Sequence, residues 1–254
     1  MDLTEGVINF AKEKGADLVG VADADLFKVN IWPFGSTPID RGPNAFVPNA
    51  KSVIVFAIKM VDSLLNRLTG KTDVHSQTLR SYLHFYNYDL LDYIAIQTVR
   101  YLEEKNFEAY PIQARVFEFD KIKTLSAIAN GSYVAFPFKV AAIAAGLGVA
   151  GKCSLLITPQ YGPRVRLVSV ITDADLRHGK PLNMSIEKIC GDCRDCIKAC
   201  PIGALTYDEK NKKFTIDMPS CHGLMIENGC GVCMAACPLG KKPRNRLNDI
   251  FKNI

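Results

Sequence analysis

Eight of the nine cysteines lie within 48 residues near the carboxyl end, and this clustering constrains the chain more than any other feature. The amino-terminal residues contain no apolar segment of the kind that directs export. Secreted disulfide proteins usually spread their cysteines along the chain. We therefore expect a cytoplasmic protein whose clustered cysteines bind metal. They are Cys190, Cys193, Cys196, Cys200, Cys221, Cys230, Cys233 and Cys237.

The first four of these cysteines follow the bacterial ferredoxin spacing, in which gaps of two, two and three residues precede a proline. In that pattern the first three thiolates bind one cluster and the fourth binds the other. The second run repeats this order, but its first cysteine is displaced upstream. Zinc sites and disulfides are the alternatives, although zinc ribbons use paired C-x-x-C knuckles. We predict two [4Fe–4S] clusters: cluster A, bound by Cys190, Cys193, Cys196 and Cys237, and cluster B, bound by Cys200, Cys221, Cys230 and Cys233.

The composition is that of a globular protein, because 48% of the 254 residues are hydrophobic and 22% are charged. A formal net charge of +5 permits an anionic partner without requiring a nucleic acid. The longest apolar stretch, at residues 134–151, is interrupted by Pro137 and Lys139. We therefore expect no membrane-spanning segment.

Hydrophobic periodicity predicts that helices alternate with strands in the first 180 or so residues. Five tyrosines in the longest predicted helix are interpreted as packing residues. The pattern indicates an α+β protein, with an α/β sandwich over residues 1–182 and a ferredoxin-like module with a basic tail over residues 183–254. Predicted helices span 2–14, 75–105 (with a break) and 136–145, and predicted strands span 17–22, 52–58, 107–112, 154–158 and 164–171.

Residues 146–151 match the dinucleotide-binding pattern G-x-G-x-x-G, but their surroundings do not. A phosphate-binding loop of that type follows a strand and opens a helix, so that the helix amino terminus meets the pyrophosphate. Here an alanine-rich helix precedes the glycines and a strand follows them. We therefore expect no nicotinamide dinucleotide at this loop.

The charge distribution separates residues 121–172 from the rest of the chain, because this stretch contains no Asp or Glu. Its basic residues either form a solvated face or line a site for an anionic or amide-rich ligand. The ninth cysteine, Cys153, lies in the same stretch and is either a small buried apolar residue or a residue near a cofactor. The basic residues are Lys121, Lys123, Lys139, Lys152, Arg164 and Arg166.

Several of these segments resemble the superfamily of epoxyqueuosine reductases and reductive dehalogenases. The most specific are AGLGVAGK at 145–152, LLITPQYG at 155–162 and the two-cluster cysteine module. Segments at 15–22 and 48–55 extend the resemblance over nearly the whole chain. The resemblance implies a nitroreductase-like domain that holds cobalamin, with the ferredoxin module beside it.

The resemblance also implies roles for individual residues. The clusters would pass single electrons to the cobalt, and Cys221 matches the segment that supplies a ligand to the cluster nearer the corrinoid. Residues at the glycine-rich segments would line the corrinoid site through backbone contacts. These are Gly146, Gly148, Gly151, Lys152, Tyr161 and Gly162.

The proton donor is where the chain departs from one branch of this superfamily. Epoxyqueuosine reductases have an aspartate acid upstream of the AGLG segment, and Ser132 occupies that position here. Reductive dehalogenases use a tyrosine with a basic residue nearby that lowers its pKa. Tyr133 and Lys139 match that pair, and the alternative is an ordinary loop tyrosine.

The sequence thus predicts an iron–sulfur oxidoreductase, of the corrinoid-dependent kind, that carries out a reductive reaction on a small molecule. The expected partners are a low-potential donor such as ferredoxin or flavodoxin, and a small-molecule substrate or a corrinoid protein. The helical repeats with which epoxyqueuosine reductases bind tRNA are missing after Cys237, so a tRNA substrate is not expected. Two alternatives stay open: an accessory protein that transfers electrons or handles a corrinoid, and a reductase that binds FMN.

Overall fold

The computed structural model describes residues 2–28, 42–69, 71, 73–113, 136–211, 213–217, 219–221, 223–224, 230–242 and 245–252. Its strands are β1 (Leu18–Asp23), β2 (Ser52–Lys59), β3 (Ala109–Ile112), β4 (Val149–Ala150), β5 (Leu156–Ile157), β6 (Val165–Thr172), β7 (Leu205–Asp208) and β8 (Lys213–Ile216). Its α-helices are α1 (Leu3–Glu13), α2 (Asp62–Leu65), α3 (Val74–His84), α4 (Asp92–Glu103), α5 (Phe138–Ala144), α6 (Ile186–Cys190), α7 (Asp195–Lys198), α8 (Val232–Ala236) and α9 (Asn245–Phe251).

A four-stranded antiparallel sheet with the order β1-β2-β6-β3 forms the centre of the large domain. Strand β2 is buried on both faces because apolar residues occupy every position from Val53 to Ile58. Ile54 and Phe56 face the core shared with α1 and α4, whereas Val53 and Val55 face the core shared with α5. The sheet is therefore sandwiched between helices, as the α+β prediction requires.

The long helix predicted at 75–105 is interrupted, as expected, by a π-helical segment at Phe85–Leu91 that joins α3 to α4. The interpretation of its tyrosines as one packed stripe is only partly right. Tyr86 is buried, and the ring of Tyr101 stacks on Phe10 with 4.6 Å between centroids. Tyr82 and Tyr93, however, are about half exposed, at 48% and 47%.

The glycine-rich segment has the order that the sequence predicts. Helix α5 precedes it, the short strand β4 lies within it between Gly148 and Gly151, and β5, which pairs with β4, follows. Since no helix begins at these glycines, the segment lacks the helix amino terminus that binds a pyrophosphate.

The cysteine module contains α6, α7, α8 and the β7–β8 hairpin, in which Leu205 pairs with Ile216. It packs on the large domain through the loops around β4 and β5 and through α2, which contacts α8. In the part of the chain that the structure describes, no helix is both long enough and apolar enough to cross a membrane.

Candidate metal centre

One cavity at the boundary between the large domain and the module is lined by the four cysteines assigned to cluster A. Helix α6 ends at Cys190, α7 contains Cys196, and Cys237 directly follows α8. The first cysteine run and the last cysteine of the second run thus meet in space. A set of four cysteine sulfurs is the donor set that a [4Fe–4S] cluster requires.

The pKa shifts of these thiols follow from their burial and mutual proximity. Burial, together with the neighbouring thiols Cys190, Cys196 and Cys193, raises the pKa of Cys237 to about 12. Burial likewise raises the pKa of Cys190, although the backbone N–H of Lys152 opposes this shift. Buried thiols of this kind keep their protons until a metal displaces them.

The thiols assigned to cluster B form a second set of neighbours. Burial, and then the proximity of Cys230 and Cys200, raises the pKa of Cys221 to about 11. Burial, and then Cys221 and Cys230, raises the pKa of Cys233 to about 12. Cys233 also interacts with Cys196 of the other set, so the two sets are adjacent.

Among the described residues, no three His, Cys, Asp or Glu side chains converge closely enough to share a single metal ion. A four-iron cluster does not need such convergence, because each thiolate binds a different iron at its own corner.

The sequence leaves two roles open for Cys153. In the structure, Cys153 lies in the cluster A cavity. It is buried, and a hydrogen bond from its thiol lowers the pKa of Cys196 to about 7. The same bond, and then burial, raises the pKa of Cys153 well above its usual value. The only signal for this placement in the sequence is the position of Cys153 two residues after the last glycine of the AGLGVAGK segment.

Lys152 is also turned toward the cysteine module. Its side chain is 2% exposed, and its Nζ donates a 2.6 Å hydrogen bond to the carbonyl oxygen of Gly191. The Nζ lies 4.4 Å from the centre of the Tyr207 ring and 3.6 Å from Glu209 Oε1. Its backbone N–H points to Cys190 Sγ at 3.5 Å. The side chain of Lys152 therefore binds to groups of the cysteine module.

The glycines expected at the corrinoid site approach the chain's own atoms. A Cβ on Gly148 would lie 2.3 Å from the Ile157 carbonyl oxygen, and one on Gly146 would lie 2.5 Å from the Lys180 carbonyl oxygen. Gly151 packs in the same way against the Ile157 side chain. Internal packing thus accounts for glycine at these positions, and their part in a corrinoid site stays a prediction, as does that of Tyr161.

Of the predicted proton-donor pair, Tyr133 lies outside the described residues. Lys139, the other residue of the pair, lies on α5. Its Nζ donates a 2.7 Å hydrogen bond to the carbonyl oxygen of Ser154. Burial lowers the pKa of Lys139, while the neighbouring thiols Cys153, Cys221 and Cys233 act in the opposite direction. The ammonium group therefore lies near Cys153 and near two of the thiols assigned to cluster B.

Three of the basic residues of the 121–172 stretch bond to protein groups, and a ligand site at this stretch stays a prediction. Arg164 is fully buried, and its guanidinium donates to Asp62 at 2.7 Å and to Asn66 at 2.8 Å. Lys152 and Lys139 also bond to protein groups. At these three positions the cations are neutralised by or hydrogen-bonded to protein groups, a use that composition alone does not reveal.

Comparison with known proteins places these observations in a family context. Residues 189–241 match a family model described as a 4Fe–4S dicluster domain. The match supports a ferredoxin-like module with two clusters. It covers both cysteine runs.

Two curated relatives extend the similarity to the large domain. The tetrachloroethene reductive dehalogenase of Sulfurospirillum multivorans is 28% identical over 95% of this chain and 51% of its own length. The epoxyqueuosine reductase of Bacillus cereus is 27% identical over 94% of this chain and 65% of its own length. The chain thus spans about half of the first relative and about two thirds of the second.

Solved structures agree in fold. A structure described as suggesting a mechanism for B12-dependent dehalogenation aligns with a TM-score of 0.65 and 17% identity, over 98% of this chain and 33% of that one. An epoxyqueuosine reductase bound to a modified tRNA-Tyr stem loop aligns with a TM-score of 0.56 and 20% identity, over 98% and 68%. Because epoxyqueuosine reductases are among the sequence relatives, our expectation that tRNA is not a substrate is not supported. The predicted resemblance is confirmed: this chain has homologues among reductive dehalogenases and epoxyqueuosine reductases, together with a 4Fe–4S dicluster module.

Proposed function

We propose that this protein is an oxidoreductase in which two [4Fe–4S] clusters deliver electrons to a corrinoid for a reductive reaction on a small molecule. The observation that carries this proposal is the cluster A cavity, which is walled both by the module's cysteines and by Lys152 and Cys153 of the large domain. Cluster A would therefore lie directly against the domain that would bind the second cofactor.

The corrinoid is supported by similarity, since the relatives match the large domain as well as the module. When bound, its cobalt would supply the reductive chemistry that amino-acid side chains lack. We infer that the large domain is nitroreductase-like and spans residues 1–182. We also propose that the backbone at Gly146, Gly148, Gly151, Tyr161 and Gly162 borders the corrinoid.

Proton delivery is assigned to Tyr133 with Lys139. A buried ammonium near a phenol stabilises the phenolate left after the proton is given up. Lys139 has the required burial, and its bond to Ser154 fixes the position of its Nζ.

Electrons are proposed to enter at a second cavity, of about 500 Å³, between α2 and the helices of the module. Three of its lining residues, Ala199, Val232 and Ala236, directly precede the cysteines Cys200, Cys233 and Cys237. Lys241 and Lys242 give its edge a positive charge. Its carboxylate, Asp62, is already neutralised by Arg164 and Lys59. The site suits an acidic, low-potential donor such as a ferredoxin or flavodoxin.

A second candidate is an accessory protein that reduces or handles a corrinoid held by another protein. The absence of any Asp or Glu from residues 121–172 favours it, because this stretch contains the position of the aspartate acid in epoxyqueuosine reductases. Both substrate classes of the relatives, an organohalide and a modified tRNA, remain to be tested on this chain.

Iron and cobalt content, measured on protein purified without oxygen from cells supplied with cobalamin, tests the proposal. We expect about eight irons and one cobalt per chain, the content of two four-iron clusters and one corrinoid. About eight irons without cobalt, and no corrinoid binding on titration, would leave the accessory protein. Flavin absorbance after removal of the clusters would instead identify the FMN-binding alternative.

A further inference from the structure

The segment Lys152–Cys153 belongs to the large domain by sequence, yet both residues touch the ligands of cluster A. The backbone N–H of Lys152 points to Cys190 Sγ at 3.5 Å, and the buried thiol of Cys153 packs beside Cys196 in the same apolar cluster. Two consecutive residues outside the module thus lie against two of the four cysteines of cluster A. Lys152 and Cys153 line the same cavity as the four cysteines of cluster A.

The ammonium of Lys152 adds a fixed positive charge at the same place. It is held by the Gly191 carbonyl, the Tyr207 ring and Glu209, and Gly191 directly follows the ligand Cys190. Glu209 is about half exposed and also pairs with Arg194, so it only partly neutralises the buried ammonium. With 2% exposure, this charge is poorly screened by water and salt.

We propose that Lys152 and Cys153 are positioning residues that set the reduction potential of cluster A. A reduced cluster has one more negative charge than an oxidised one. Hydrogen bonds to its sulfurs and a nearby cation therefore stabilise the reduced form and raise the potential. The large domain would in this way tune a cluster that it contacts directly. This inference depends on the clusters of the proposed function and not on the corrinoid.

Redox titration of the anaerobically purified protein, followed by electron paramagnetic resonance, tests the inference. Lys152→Gln removes the charge and keeps the backbone N–H, while Lys152→Arg keeps the charge. Cys153→Ala removes the donor to Cys196, and Cys153→Ser keeps a donor. Lys188→Gln is the matched control, because Lys188 lies two residues before Cys190 but is exposed.

We expect two one-electron reductions in the wild type. Lys152→Gln and Cys153→Ala should each lower one of the two midpoint potentials and leave the other unchanged. The expected shift for Lys152→Gln is at least a tenfold change in the ratio of reduced to oxidised cluster at a fixed potential, or about 59 mV for one electron. The Arg and Ser variants should stay close to the wild type.

Iron content, measured before each titration, separates this inference from the proposed function. A wild-type protein without clusters would overturn both, whereas clusters without cobalt would leave this inference intact. If Lys152→Gln loses cluster A, the comparison of Cys153→Ala with Cys153→Ser tests the tuning role instead, because these substitutions are smaller. Loss of the cluster in both the Gln and the Ala variants would show that the segment only supports assembly. Unchanged potentials, or an equal shift in Lys188→Gln, would also overturn the tuning role.

Discussion

Gly162 faces the carbonyl oxygen of Leu239 so closely that a Cβ on Gly162 would lie 2.7 Å from it. Gly162 also has a φ of 58°, in the left-handed region that side chains disfavour. Leu239 lies in the turn directly after Cys237, so this contact fixes one ligand of cluster A against the large domain. Both the left-handed backbone at position 162 and the nearby Leu239 carbonyl oxygen therefore require glycine there.

Replacing Gly162 by Ala should displace the 238–240 turn and destabilise the protein. Left-handed strain and a backbone clash together should cost about 3 kcal/mol. We expect a lower melting temperature and loss of iron from cluster A. Gly203→Ala is the matched control, because Gly203 has a φ of 63° but no atom within 4 Å of its Cβ position. It should cost only the strain, about 1 kcal/mol, and equal losses in both variants would argue against the Leu239 contact.

Cys237→Ala should damage cluster A rather than cluster B. The sulfur of Cys237 shares its cavity with Cys190, Cys193 and Cys196, and cluster B would keep all four of its thiolates. We expect the iron content to fall from about eight to about four per chain, with one paramagnetic signal retained. Cys221→Ala should remove the other signal. Loss of the same signal in both variants would show that the pairing of ligands is wrong.

Asp62→Asn should leave the buried Arg164 guanidinium without its counter-charge. Burial alone would raise the pKa of Asp62, but hydrogen bonds from Arg164 and Lys59 outweigh it and keep that pKa below the ordinary aspartate value of 3.8. The carboxylate therefore stabilises the fold at neutral pH, and this stabilisation is lost as pH falls below 3.8 toward the folded-state value. We expect Asp62→Asn to lower the free energy of unfolding by about 3 kcal/mol at pH 7.

Denaturant unfolding at pH 7 and at pH 3 measures this effect. The difference in the free energy of unfolding between wild type and Asp62→Asn should be smaller at the lower pH. The control is Lys59→Met, which breaks a partly exposed ion pair of 3.3 Å and should cost less than about 1 kcal/mol. An Asp62→Asn variant no less stable than Lys59→Met would contradict the role given to the Arg164 pair.

Reversing the charges of Lys241 and Lys242 to Glu should slow electron entry from an acidic donor. Both lysines line the cavity next to the residues that precede Cys200, Cys233 and Cys237. At low salt we expect reduction of the clusters by ferredoxin to slow about tenfold, with a weaker dependence on ionic strength. Stopped-flow spectroscopy measures the rate. Reduction by dithionite should be unchanged, and so should ferredoxin reduction of a Lys12→Glu control on α1.

Tyr133→Phe should abolish turnover of a reducible substrate while leaving iron content and corrinoid binding intact, because only the phenolic proton is lost. Lys139→Met should lower the rate and shift the pH optimum upward, since the phenol would lose the cation that lowers its pKa. Full activity in Tyr133→Phe would remove this residue from the proposed mechanism.

Periodicity and spacing were enough to predict much of this molecule. The strands around Ser52–Lys59 and Val165–Thr172 and the order of elements around the glycine-rich segment follow from local patterns. A break in the helix 75–105 was expected, but its position at Phe85–Leu91 was not. The meeting of Cys237 with the first cysteine run follows from ferredoxin spacing. Contacts between distant segments do not leave such patterns, so the places of Lys152 and Cys153 beside cluster A were not predicted.

The segment from residue 151 to residue 162 meets the module at both of its ends. Lys152 and Cys153 contact the ligands at 190 and 196, and Gly162 contacts the turn after Cys237. A segment anchored twice in this way resists rotation of the module about either contact. Electron transfer across the boundary would then proceed over a constant tunnelling distance, without waiting for a domain to swing into place.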